Sequence, residues 1–467
     1  MIFGRISAWL ASIINRIFRT NIGLLPPPDQ NAKQPMWERT VPNTKEVYMS
    51  RVTMTEVVLP SHADTRGFVY GGVVLGWIDL AAGISAKKHA IHPCVTRSVD
   101  AVHFMHPILV GDFVIIRANV NRAWNTSMEV GVRVETENPL TGKRKYCCHA
   151  YLTFVALTPK NNTQIPGYSS RSPSRYQNVK VKVPRIVSST SIEKQRYELA
   201  EERRQARLAH FLHEDEKGDR EQNKLAQVRE LMKTWSENSN TETKSNAEIP
   251  PLLQEAEVYE EGGGEENNDP AKLFLNRRRS TLKGIFPNQP EQKFISESFA
   301  EVVENVLPQH ANTLQITFGG QIMRWMEQSA LVSAARHSRR FLLMASIDSL
   351  QFIRPTCVGD CVTVRSIVSC TFHSSLEVYC SVEAENLITG ERFFTNDGFF
   401  TMVAVDFENS PTLVPRAIPD DEQEKELFAG AELRRKRRLG QRRELIQKEL
   451  SAHPEEFEQF KNKSEQI

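Results

Sequence analysis

Long apolar runs are missing from this chain. None reaches the roughly 18 residues that a membrane-spanning helix needs, so no spanning segment is expected. Cysteine is sparse: seven in 467 residues, at positions 94, 147, 148, 357, 361, 370 and 380, with no CxxC pair. An odd count without that spacing argues against a disulfide framework and against a zinc site. Cys357 and Cys361 lie four apart, but no His or Cys set completes a ligand group around them. A reducing compartment fits this usage. Net charge is nearly absent, with 59 Lys and Arg against 57 Asp and Glu, which gives no sign of nucleic acid as the main partner. Basic runs at Arg277–Arg279 and Arg434–Arg438 are flanked by acidic stretches and read as solvated helix faces or linkers.

Acid is also missing from the first 28 residues, where Arg5, Arg16 and Arg19 are the charges. At 100° per residue Arg5, Ser12, Asn15, Arg16 and Arg19 gather on one side, with Ala8 among them. Ile2, Ile6, Trp9, Leu10, Ile13 and Ile17 gather on the other, and Ser7 falls at the edge of that apolar side. A basic, acid-free amphipathic segment over 1–28 reads as a mitochondrial targeting peptide. The alternatives are a membrane-surface anchor of a cytoplasmic protein or a disordered tail.

What the chain does contain is a copy of itself. Leu59-Pro60-Ser61-His62-Ala63-Asp64 returns as Leu307-Pro308-Gln309-His310-Ala311-Asn312, and Gly71-Gly72 as Gly319-Gly320. Ser98-Val99-Asp100 returns as Ser346-Ile347-Asp348, Gly111-Asp112 as Gly359-Asp360, and Thr141-Gly142 as Thr389-Gly390. The offset is 248 positions in every pair, as from Gly72 to Gly320. A gapless register held this long means two copies of one domain, expected over 45–160 and 293–407.

Each copy reads alike. A glycine-bearing loop opens an apolar run, Val73 to Ala86, which is apolar nearly all round and should form a buried helix. Strand-like segments follow at Val95–Pro107, Phe113–Ala123, Met128–Glu135 and Lys145–Ala156. The third alternates strictly, Met128, Val130, Val132 and Val134 against Glu129, Gly131, Arg133 and Glu135. A turn at Asn138–Gly142 makes a hairpin with the last strand. One buried helix followed by antiparallel strands gives an α+β fold with the sheet wrapped on the helix. Charged helical stretches are expected over 186–237 and 420–460, and residues 238–292, with Ile249-Pro250-Pro251 and Gly262–Gly264, read as a linker.

The set Ala63-Asp64, Gly67-Phe68-Val69-Tyr70-Gly71-Gly72, Trp77-Ile78-Asp79-Leu80-Ala81-Ala82-Gly83, His89, Ser98-Val99-Asp100, Phe104, Pro107-Ile108, Gly111-Asp112 and Thr126-Ser127-Met128-Glu129 resembles the acyl-CoA thioesterase branch of the hot-dog superfamily. The second copy carries the same string with substitutions, and the duplicated arrangement is similar to the tandem hot-dog thioesterases of eukaryotes. The resemblance implies two tandem hot-dog domains packed as a double hot dog, assembling as a homo-oligomer, a trimer of double hot dogs. It also implies an acyl-CoA substrate, with no cofactor beyond the CoA that the substrate carries.

The resemblance places the site between two units, an acid from one central helix meeting an Asn or acid from the other unit's loop. Mapped here, helix Asp79 pairs with loop Asn312, and helix Glu327 with loop Asp64. Thioester hydrolysis needs a base or a nucleophilic carboxylate, and donors for the oxyanion. Gly71, Gly72, Gly319 and Gly320 open the helices, where free N–H groups and a partial positive charge offer such donors. A lone carboxylate in an apolar helix is costly unless it is paired or used, which favours Asp79 with Asn312 as the catalytic pair. Glu327 has Arg324 three residues earlier, a salt-bridge spacing, and Asp64 beside Glu327 would raise at least one pKa. That pair reads as a second or degenerate site. Asn312 also suits an Asx-turn, and His89 and His337 suit the negative ends of their helices. Candidates for the phosphates of CoA are Lys87, Lys88, Arg336, Arg339 and Arg340, with Thr126, Ser127, Ser374 and Ser375 as loop contacts. A hot-dog hydratase or dehydratase acting on acyl thioesters, and a non-catalytic acyl-CoA-binding scaffold, remain open readings.

Overall fold

A computed structural model describes residues 43–159, 178–239 and 291–452. The segment 1–28 read as a targeting peptide, and residues 240–290 of the linker, lie outside the described residues.

In the first copy the strands are β1 (Thr44–Glu46), β2 (Val52–Val57), β3 (Cys94–Val99), β4 (Val102–His103), β5 (Phe113–Ala123), β6 (Ser127–Glu137), β7 (Arg144–Pro159), β8 (Asn178–Lys180) and β9 (Arg185–Val187). Helix α1 (Gly71–Ala90) precedes β3, and α2 (Ser191–Ser239) follows β9. The second copy has β10 (Gln292–Phe294), β11 (Ala300–Asn305), α3 (Gly319–Ser338), β12 (Phe341–Ile347), β13 (Leu350–Gln351), β14 (Asp360–Thr371), β15 (Ser375–Asn386), β16 (Arg392–Val405) and β17 (Arg416–Ile418). Helices α4 (Glu422–Ala429) and α5 (Ala431–Ala452) follow.

Each copy is a hot-dog domain, an antiparallel sheet curled round its own helix. On β6 the alternation works as the pattern requires: Met128, Val130, Val132 and Val134 face the helix with no exposure. Burying each such side chain is worth roughly 1.5–3 kcal/mol. Both helices end on a residue in the left-handed region, Ile91 at φ 58° and Arg339 at φ 50°, a reversal that redirects the chain into the next strand.

One strand expectation fails instructively. Val95–Pro107 is not one strand: β3 stops at Val99, and β4 crosses to the other sheet, pairing Val102 with Ile347 and His103 with Ser346. The second copy returns the exchange, β13 pairing Leu350 with Val99 and Gln351 with Ser98. The repeated Ser-aliphatic-Asp triplets sit at this swap. Each sheet therefore contains a strand lent by the other domain, in the orders β13-β3-β7-β6-β5-β2 and β11-β14-β15-β16-β12-β4.

Residues from Asn43 onward form one body, and α1 packs on α3 inside it. The helices cross where only glycine fits: a Cβ on Gly320 would lie 2.8 Å from the Gly76 Cα, and one on Gly72 would lie 2.9 Å from the Arg324 Cα. This close crossing brings the N-terminus of each helix to the middle of the other.

The charged helices are latches. Glu129 is fully buried on the outer side of sheet β6, held by Arg203 at 2.6 Å and Arg207 at 3.1 Å from α2, and Arg207 also binds Asp100 at 2.8 Å. In the second copy Arg434 and Arg438 from α5 hold Glu377 at 2.6 Å each, and Arg438 reaches Asp348 at 3.1 Å. Helix α2 then carries on to the second domain, where Trp235 meets Phe299 edge-on and Ser236 donates to Glu301. The run Arg434–Arg438, read as a solvated face, is in part an anchor. Among the described residues no helix is long and apolar enough to cross a membrane.

Candidate active site

Asp79 lies in the third turn of α1, opposite the start of α3, and is 2% exposed. One carboxylate oxygen, Oδ2, accepts the Gly320 N–H at 2.9 Å; the other, Oδ1, accepts the Thr96 hydroxyl at 2.7 Å. Thr96 stands on β3 just before a bulge, where Ser98 takes up the register again. Burial pushes the Asp79 carboxyl above its ordinary range, while the Gly320 N–H, the Thr96 hydroxyl and the Lys87 charge pull it back. The carboxylate thus hangs from the positive end of the facing helix.

Asp79 and Asn312 line one cavity of about 580 Å³ between the domains. The Asn312 Oδ1 accepts the N–H groups of Leu314 at 2.8 Å and Ile316 at 3.2 Å. The Asx-turn expected for Asn312 is therefore present, and because it consumes the oxygen, the Nδ2 amide is left as the group available to the cavity. The N–H of Gly319, the first of α3, is claimed by no acceptor among the described residues, and Gly319 also lines the cavity.

The pseudo-equivalent site is built differently. Glu327 is one methylene longer than Asp79 and takes both helix N–H groups, Gly71 at 2.7 Å and Gly72 at 2.6 Å. Where Thr96 stands in the first site, the second has Met344, whose thioether end lies against Gly71. Asp64 is fastened to its own loop. It accepts the N–H groups of Arg66 and Phe68 at 2.9 Å and the Arg66 guanidinium at 3.2 Å. Arg66 in turn rests over Phe341 at 4.4 Å and donates to Asn409. The counterpart of Arg66 is Leu314, which carries no charge to hold Asn312 in this way.

Two expectations about Glu327 are corrected. No ion pair with Arg324 forms among the described residues, because the carboxylate points across to α1; Arg324 acts only through its charge at a distance. Nor does Asp64 raise the Glu327 pKa. Burial does, pushing it up to about 7 against the Gly72 and Gly71 N–H groups.

The remaining candidates divide. Lys87 lines the cavity, whereas the Lys88 ammonium donates to the Arg51 carbonyl and Arg336 donates to that of Phe299. The main-chain carbonyls of Thr126, Ser127, Ser374 and Ser375 accept the N–H groups of Ala156, Trp124, Ala404 and Phe372, and the four residues are absent from the cavity wall. Arg339 is the left-handed cap of α3, and Arg340 is buried at the start of the following segment. His89 and His337 are not charged dipole partners. Burial lowers the pKa of both, His337 to about 4, and each is bonded through Nε2 to a carbonyl, Pro184 at 2.7 Å and Pro415 at 3.1 Å. Ammonium groups do the capping instead, Lys45 donating to the carbonyls of Lys88 and His89, and Lys293 to that of Arg336.

Sequence reasoning missed Thr96. The signal was there in the repeat: at the same register one copy has a hydroxyl and the other, at Met344, a thioether, a divergence inside otherwise matched strands.

Residues 66–143 and 314–390 each match the family model described as Thioesterase superfamily. Acyl-coenzyme A thioesterase 11 of Mus musculus is 32% identical over 391 residues, covering 84% of this chain and 53% of that protein. Acetyl-coenzyme A thioesterase of Rattus norvegicus is 31% identical over 394 residues, covering 84% of this chain and 58% of that protein. The chain thus spans little more than half the length of these two. The uncharacterized acyl-CoA thioester hydrolase YkhA of Bacillus subtilis is 39% identical over 135 residues, 29% of this chain and 78% of that protein. A duplicated sheet-on-helix domain, matched in each copy and across most of a shorter relative, places the chain in one family: it belongs to the tandem hot-dog acyl-CoA thioesterases.

Proposed function

We propose that this protein hydrolyses fatty acyl-CoA thioesters to free acid and CoA at the Asp79–Asn312 cavity. The observation that carries the reading is a buried carboxylate hung from a facing helix N-terminus, with an uncommitted helix N–H and an uncommitted amide in the same cavity. The thioester carbonyl oxygen sits toward the Gly319 N–H, which takes up the negative charge as the tetrahedral intermediate forms. The Asn312 amide orients a water molecule, and Asp79 removes its proton as the oxygen attacks the carbonyl carbon. Collapse breaks the C–S bond and releases CoA as its thiolate, which takes up the proton that Asp79 removed and so restores the carboxylate. Thr96 and Gly320 fix both oxygens of the base, and their bonds oppose the rise that burial causes in its pKa.

The second site supports one active centre per chain. Glu327 already occupies both N–H groups that a substrate carbonyl would use, and Met344 covers Gly71. Import into mitochondria, supported by the composition of residues 1–28, and assembly as a trimer of double hot dogs, supported by family resemblance, belong to the same proposal.

Thiol release from a panel of acyl-CoAs tests it. Asp79→Ala and Asn312→Ala, with folding checked by circular dichroism, are each expected to lower kcat by at least ~100-fold. Wild-type binding without turnover would leave a scaffold. An Asp79→Ala chain of full activity would move the chemistry elsewhere.

A further inference from the structure

We infer that the Asp79 cavity ends in an anion subsite, built by Lys87 and Lys180, that takes the terminal carboxylate of a dicarboxylic acyl group. The inference deepens the hydrolase reading and rests on it for turnover.

Lys87 and Lys180 both line the cavity that holds Asp79. Asp79, Gly83 and Lys87 follow at four-residue steps along α1, so Lys87 starts about 12 Å further along the axis. Its side chain leans back toward the helix N-terminus, as helical side chains do, and its charge is felt at both Asp79 and Cys94. Lys180 comes to the same end by another route. It pairs with Leu157 across β8 and β7, and the Leu157 N–H bonds to the Pro93 carbonyl just past the end of α1.

Neither ammonium has an acceptor among the described residues. The other cations of the wall are committed, Arg97 to the Phe352 carbonyl and Arg354 to Glu391. Among the described residues Asp79 is the sole acid lining the cavity, and none of them neutralises the two lysines. The fold does not require a cation here either, because the second copy has Ala335 at the position of Lys87.

Between Asp79 and the lysines the wall is mainly apolar, with Leu80, Ile84, Phe154 and Leu157, and Asn178 stands two residues before Lys180. A methylene chain suits that stretch. An acyl chain that begins at Asp79 and ends in a carboxylate satisfies both the apolar wall and the unpaired ammonium groups.

The test is kcat/KM of the full chain for length-matched pairs: succinyl-, adipoyl- and suberoyl-CoA beside butyryl-, hexanoyl- and octanoyl-CoA. At least one dicarboxylic ester is expected to exceed its monocarboxylic partner about tenfold, and Lys87→Met and Lys180→Met should each remove most of that ratio. A wild-type ratio of one or less for every pair overturns the subsite, as does a ratio that neither variant changes. So does a Lys87→Met chain that slows both series alike and no longer separates CoA from 3′-dephospho-CoA esters, which would assign the lysine to a CoA phosphate. If no thioester turns over, the hydrolase reading fails by itself. Calorimetry then decides the subsite: tighter binding of adipoyl-CoA than hexanoyl-CoA, lost in Lys87→Met, keeps it, and equal binding overturns it.

Discussion

Thr96 and Met344 show how much one side chain decides. Both follow their helix acid by 17 positions, as in Asp79 to Thr96, yet one donates to the acid and the other covers a glycine. Replacing Thr96 by Val keeps the shape and removes a hydrogen bond to a charged group, worth about 1.5–3 kcal/mol. Because that bond lowers the Asp79 pKa, its loss raises it. A pH–rate profile of Thr96→Val should show the acid limb displaced to higher pH and kcat/KM lower by roughly 10- to 100-fold. Glu327 makes a different prediction. Its pKa is raised from 4.5 to about 7 in the folded protein, so the folded chain binds more protons than the unfolded chain in that window. Stability therefore falls as pH rises from about 4.5 through about 7, by up to about 3 kcal/mol from this group. Glu327→Gln cannot titrate, and urea denaturation at several pH values should show the wild type losing ground against it across that window.

At the scale of elements, the long charged helices change meaning once placed. By composition α2 and α5 are solvated stretches, but each carries two arginines spaced four apart, Arg203 with Arg207 and Arg434 with Arg438, that meet fully buried glutamates. Burial works to raise the Glu377 pKa, and the bonds from Arg434 and Arg438 outweigh it, so the carboxylate stays ionised at neutral pH. Removing one member of such a set leaves a charge under-compensated in the interior. Arg438→Ala, which strips Asp348 and Glu377 of a partner, should cost about 3 kcal/mol in urea denaturation of the full chain. Arg438→Lys should recover part of it, since charge returns but the fork does not.

For the whole molecule, duplication has left two unlike junctions between the domains, and the proposed centre lies at one of them. In the proposed centre the acid comes from the first domain and the loop amide from the second, so neither domain alone supplies both. Since both halves lie in one folded body, chains carrying Asp79→Ala and chains carrying Asn312→Ala should not rescue each other when co-expressed and purified together. Thiol release near background is expected from the mixture. Recovery to a sizeable fraction of wild type would mean that domains pair between chains.

The pairing of Asp79 with Asn312 came from family resemblance, and the two residues line one cavity; what the sequence by itself determined is the repeat, the buried helix and most strands. These rest on local pattern and on a register of 248 that survives in the text of the chain. What only the tertiary structure decided is everything that depends on which atoms meet across that register. The strand exchange at Val99 and Ile347 needs both sheets to be seen at once. Glu327 read as the acid of a second or degenerate site with a salt-bridge spacing to Arg324, because spacing along a helix cannot show that the carboxylate reaches the N-terminus of another. Spacing along the chain is fixed by covalent geometry, whereas desolvation, helix-end charge and hydrogen-bond partners at a domain junction arise only when two distant segments close on each other.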